Sequence, residues 1–214
     1  RRGREAPARR RVEQQPLAEE ARADEVRVAR HRDRERIPAV ARAARAHVSG
    51  AQHDQVPEFA QEIHAAFGRI DRIIFLAAAY TPMNIETLDL AVTKHIIDVN
   101  LLGAFHLIHA VLPLIRQQEK SQIALCGSVA GYTGLPGGQP YSATKAAVMN
   151  LAESLRAELP ASIGIKLISP GFVRSELTDK NDFKMPMIIS AKRAASYIAD
   201  GLHRPCFEVH FPKY

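Results

Sequence analysis

The first quarter of this 214-residue sequence has no aromatic residue before Phe59, and only two glycines, Gly3 and Gly50. Half of residues 1–52 are Ala or Arg, and only seven are Val, Ile or Leu. Buried parallel strands read as near-continuous apolar runs, so this stretch lacks the composition for two of them. Cysteine is scarce as well. Cys126 and Cys206 are the only two, which excludes a disulfide scaffold and points to a reduced, cytoplasmic chain with both thiols packed in strands. No apolar run approaches twenty residues, so no membrane-spanning helix is expected. The Arg-rich start lacks the apolar stretch of a secretory signal, and Glu19, Glu20, Asp24 and Glu25 argue against an import leader. His106 and His109 lie three apart on a helical stretch, but no carboxylate or cysteine joins them at metal-ligand spacing. They read as core or interface histidines, and no metal site is expected. Nor does the chain carry the Gly-x-Ser-x-Gly elbow of a serine hydrolase.

What is present is unevenly charged. The net charge is +6. Residues 1–52 hold fourteen arginines and eight acids, which accounts for all of it, and residues 53–214 balance to zero. The arginines have no interleaved aromatics and no recognisable nucleic-acid motif, so a solvated arm is the better reading than a nucleic-acid surface. A chain of this length forms one domain with a full core.

From His53 onward, helical and strand patterns alternate, the pattern of a parallel sheet covered by helices. Helices are expected over 54–69, 87–99, 101–118, 140–159 and from a cap at Ser190 to about His203. Strands are expected over 72–78, 122–127, 164–168 and 206–211. Pro140 stands near the first turn of its helix, where proline is tolerated.

The chemistry is concentrated in Tyr141-Ser142-Ala143-Thr144-Lys145. A tyrosine and a lysine four apart share one helix face. A phenol titrates near ~10, and a fixed positive neighbour favours its ionised form, which would make Tyr141 a usable proton donor and acceptor. A tyrosine at a helix start is more often a packing residue, and a lone lysine is surface charge; company decides. Ser128 lies thirteen residues earlier in Gly127-Ser128-Val129-Ala130-Gly131, directly after an apolar strand. Asn100 opens an apolar helix, and Pro170-Gly171-Phe172-Val173 follows another strand.

These residues and spacings resemble the short-chain dehydrogenase/reductase family, from about His53 to the C-terminus. The resemblance implies an α/β, Rossmann-like doubly wound parallel sheet with helices on both faces, and NAD or NADP as cofactor. It implies hydride exchange with a carbonyl or alcohol, and a tetrad of Asn100, Ser128, Tyr141 and Lys145. Tyr141 would pass the proton, Lys145 would lower its pKa and hold the nicotinamide ribose, Ser128 would bind the reacting oxygen, and Asn100 would hold a water leading to solvent. Cofactor contacts are implied for Ala77, Ala78, Asn100, Tyr141, Lys145, Pro170, Gly171, Val173 and Ser175. Residues 172–189 would form a lid over a small, apolar substrate. Helices 101–118 and 140–159 would make a homodimer or homotetramer.

Two departures stand out. The family's Asn-Asn-Ala-Gly falls on Phe75-Leu76-Ala77-Ala78, without either asparagine. The family's first strand and its Thr-Gly-x-x-x-Gly-x-Gly turn have no counterpart in residues 1–52, although such a turn brings backbone N–H groups to the cofactor pyrophosphate. That atypical Arg/Ala-rich segment reads either as the product of a shifted reading frame or as a genuine basic arm. The alternative to an enzyme is therefore a non-catalytic or damaged relative that keeps the fold without holding cofactor.

Overall fold

The computed structural model describes residues 55–213, so the readings made for residues 1–52 lie outside the described residues. Within this range, four strands form one parallel sheet in sequence order: β1 (Arg72–Phe75), β2 (Ser121–Cys126), β3 (Ile163–Pro170) and β4 (Glu208–Phe211). The helices are α1 (Val56–Phe67), α2 (Leu90–Ile97), α3 (Gly103–Ile115), α4 (Gln139–Glu158) and α5 (Ala191–His203).

Strand alternation decides which helix covers which face. Ile123 and Leu125 of β2, with Ile165 and Leu167 of β3, pack against Ala104, Ile108 and Val148. Thus α1, α3 and α4 lie on one face. Ala124 and Ile168 point the other way, onto Ala194 and Leu202 of α5. Both faces are buried, which explains why β2 and β3 read as unbroken apolar runs. Each fully buried Ile, Leu or Val contributes roughly 1.5–3 kcal/mol by leaving water.

The helix ends follow local chemistry. Asp89 accepts from the Ala91 and Val92 amides at 2.8 and 3.1 Å and starts α2. Gly68 ends α1 in the left-handed region at φ 75°, its N–H reaching His64 O. Ser190 caps α5 as expected, accepting from Arg193 N.

Several expectations need correction. The two helices foreseen over 87–99 and 101–118 are one continuous helical run, Leu90–Ile115, joined by a wide π turn over Asp98–Leu102. By length and composition alone this 26-residue run is apolar enough to cross a membrane. The run packs against α1 and α4 and joins the core through Ala104 and Ile108, with 33% of its most apolar stretch buried, and it carries Lys94 and Asp98 in a 2.5 Å ion pair. Strand β1 stops at Phe75 at the edge of the described sheet, and Ile74 and Leu76 are exposed. Cys206 is exposed and precedes β4, so it is not a packed strand thiol. His106 and His109 are exposed, which removes the core reading, and the described residues hold no group of three metal-capable side chains.

Candidate active site

A cleft of about 90 Å³ opens at the carboxyl ends of the parallel strands, where ligands bind in sheets of this type. Ser128 and Tyr141 both line it, from the end of β2 and the first turn of α4. Phe172, Leu177, Thr178 and Asn181 come from the segment after β3. No lining side chain is charged.

Ser128 is set by its own turn. Its Oγ accepts from the Ala130 amide at 3.1 Å and starts a short helical turn, Val129–Gly131. That turn presses on α4. A Cβ on Gly131 would stand 2.9 Å from the Lys145 carbonyl carbon and 3.0 Å from the Ala146 nitrogen. Glycine is therefore required here by close backbone approach, and the approach brings Ser128 to Tyr141. There Ser128 favours the ionised form of the Tyr141 phenol.

Burial works against that stabilisation and outweighs it. The Tyr141 phenol is pushed up to about 12 by desolvation first, with Ser128 pulling the other way. Lys145 is 1% exposed, and desolvation drives its amine below the usual lysine range. Its Nζ lies 5.6 Å from the Tyr141 ring centre and donates to Cys126 O at 2.8 Å. The expectation that a neighbouring ammonium acidifies the phenol is thus corrected for the chain alone. Both groups are held toward their neutral forms by the same dry environment.

Asn100 is fully buried at the π turn. Its Oδ1 accepts from Ala79 N at 2.6 Å, and its Nδ2 donates to Ala79 O and to Thr144 Oγ1, both at 3.0 Å. It joins the segment after β1 to α4 at the residue before Lys145. Such π turns are frequent at functional positions.

The remaining residues named from sequence divide. Gly171 lines the cleft, its N–H bonded to Phe211 O at 2.7 Å. Pro170 ends β3 beside Phe211. Val173 bridges to Ile189, closing the segment as a loop. Ala77 and Ala78 follow β1 without lining the cleft. Ser175 is exposed and occupied with Thr178, also away from it. Sequence reasoning missed Tyr80. Its ring meets the Tyr141 ring edge-on, 5.1 Å between centres at 66°, and its position just past the small residues 77–79 was the one available signal.

Comparison with known proteins bears on this arrangement. The family model for short chain dehydrogenases matches residues 17–185, beginning upstream of His53. An uncharacterized oxidoreductase of Myxococcus xanthus is 34% identical over 160 residues, covering 74% of this chain and 63% of that protein. The chain spans about three fifths of the length of such curated relatives. Among solved structures, a short-chain dehydrogenase/reductase from Burkholderia phymatum in complex with NAD superposes with a TM-score of 0.70 over 77% of this chain and 69% of its own, at 20% identity, a likeness of fold. A gluconate 5-dehydrogenase from Burkholderia cenocepacia in complex with NADP and tartrate matches with a TM-score of 0.58 and 27% identity, over 61% of this chain and 52% of its own.

Proposed function

The chain belongs to the short-chain dehydrogenase family, and from that premise we propose that it is an oxidoreductase moving a hydride between NAD or NADP and a carbonyl or alcohol carbon, with Tyr141 as general acid and base. The observation that carries this reading is that Ser128 and Tyr141 line the same uncharged, largely apolar cleft at the carboxyl ends of the strands.

The residues present suit the nicotinamide end of such a cofactor. The cleft lies at the carboxyl ends of parallel strands, Ala77 and Ala78 leave room beyond β1, and Lys145 supplies a buried amine with donors to spare beyond its bond to Cys126. Lys145, Asn100 and the Pro170–Ser175 segment would hold the nicotinamide half. When bound, the cofactor supplies or accepts the hydride. In reduction, Ser128 donates to the substrate oxygen where negative charge grows. Tyr141 then passes its proton to that oxygen. A phenol is protonated at neutral pH and burial only widens that range, so Tyr141 can donate its proton in reduction, and oxidation gains as pH rises. The Asn100 side chain is committed to Ala79 and Thr144, where it fixes the turn beside Lys145.

Tyr141→Phe tests the assignment. Turnover of carbonyl substrates with NADH or NADPH should drop about 10²–10⁴-fold, the usual worth of a positioned proton donor, with the fold intact by circular dichroism. A variant as fast as the parent would remove Tyr141 from the chemistry. A second reading is favoured by the lost asparagines at Phe75-Leu76 and the glycine turn missing from residues 1–52: a relative that keeps the fold but cannot hold cofactor. Failure of the folded chain to bind either nucleotide would select it.

We assign the exposed apolar residues Ile97, Leu102 and Phe105, 38%, 41% and 48% exposed, to contact with a second copy of the chain. Sedimentation velocity should give a dimer or tetramer that Phe105→Glu dissociates; a monomer at micromolar concentration refutes this. The reduced thiols fit a cytoplasmic protein, which fractionation of the source cells would test.

A further inference from the structure

Residues 176–185 close one side of the cleft, and they are held there by one residue of the opposite wall. Tyr80 Oη donates to Asn181 Oδ1 at 2.9 Å, and Lys180 Nζ donates to Tyr80 O at 2.8 Å. The side chain of Tyr80 thus holds Asn181 and its backbone carbonyl holds Lys180, two consecutive residues. Asn181 is fixed from its far side as well, its Nδ2 lying 3.3 Å from Met185 Sδ. The Tyr80 ring also packs edge-on against Tyr141, an arrangement favoured between aromatic rings. A second edge-on pair, Phe172 with Phe183 at 5.9 Å, stands in the segment itself.

We propose that Tyr80 is a latch and a positioning residue: its hydroxyl fastens residues 176–185 over the cleft, and its ring separately holds the Tyr141 ring in place. Because four rings and no charge line the cleft, the substrate admitted is an uncharged carbonyl compound built on a ring. The substrate half of this statement rests on the oxidoreductase reading; the latch does not.

The test has two arms. Deuterium exchange of the full chain is followed in residues 176–185 for the parent, Tyr80→Phe, Asn181→Ala and the double variant, without ligand. Each single variant should exchange about fivefold faster there, the worth of one hydrogen bond, and the double variant no faster than either single. Unchanged exchange in either single variant, or multiplied effects in the double, overturns the latch. In the second arm cyclohexanone, 2-decalone and acetoacetate are compared under NADPH and NADH. Tyr80→Phe, which keeps the ring against Tyr141, should raise KM for the ring ketones several-fold and leave kcat near the parent value. Tyr80→Leu, which loses that packing, should lower kcat as well. Equal use of acetoacetate and cyclohexanone by the parent overturns the substrate class, as does a Tyr80→Leu variant with unchanged kcat for the positioning role. If no carbonyl is turned over at all, the functional reading and the substrate class fail together, and the exchange arm still decides the latch.

Discussion

Replacing Gly131 with alanine probes how Ser128 is brought to Tyr141. The added Cβ would lie 2.9 Å from the Lys145 carbonyl carbon, against about 3.4 Å for ordinary contact, so the turn and α4 must separate by about 0.5 Å. It would also stand 2.5 Å from Met149 Sδ, but that side chain can swing aside while backbone cannot. Overfilling a packed site costs roughly 1–3 kcal/mol. At ~2 kcal/mol, a domain of this size loses about 6 °C of Tm. The larger effect falls on geometry. Tyr141 lies one turn ahead of Lys145, so the shift is passed to the placement of Tyr141 against Ser128 in the cleft. A misplacement near 1 Å costs about 10² in rate, and half of that implies about a tenfold loss of kcat. The assay is steady-state reduction of cyclohexanone beside a calorimetric melt, for Gly131→Ala alone and with Met149→Ala. The second substitution should recover part of the Tm and little of the kcat. Full recovery of kcat would mean that only Met149 was crowded, and the backbone argument would be wrong.

Two further outcomes follow from the same geometry. Asn100→Ala strands the Ala79 N–H and C=O and should cost about 3 kcal/mol in urea unfolding, each orphaned group being worth roughly 1–3; a loss below about 1 kcal/mol would mean that water replaces the amide freely. Tyr141 ionises near 10 when unfolded and near 12 when folded, so between these values the unfolded chain binds fewer protons and stability falls as pH rises. The slope is about 1.4 kcal/mol per pH unit, roughly 2.7 in all. Urea midpoints from pH 9 to 12 should show this fall, and Tyr141→Phe should lack it; parallel curves would show that the phenol is not dry.

Much of the fold could be read from sequence wherever local chemistry and burial agree. Pro140 near the first turn placed α4 within a residue of its observed ends. The apolar run of β2, with helices on both sides, marked a buried parallel strand. What stayed hidden depends on distant packing. A wide turn shifts the helical phase, so Leu90–Ile115 read as two helices. A strand at the edge of the described sheet lacks the contacts that would extend it, and β1 ended three residues early. The spacing of Tyr141 and Lys145 is local and legible, but the sign of their pKa shifts is not. It is set by Ser128, Cys126 and the surrounding core, gathered from across the chain. Tyr80 escaped for the same reason, since its partner Asn181 lies 101 residues away.

Titration of the folded full chain with NADH and NADPH, read by nicotinamide fluorescence, tests the central claim most directly. Saturable binding of one of them, lost in Lys145→Met while the melting temperature holds, is the predicted result, because the buried amine costs stability and would be retained for the ligand. No binding of either nucleotide to the folded parent chain, or binding that Lys145→Met leaves intact, contradicts it.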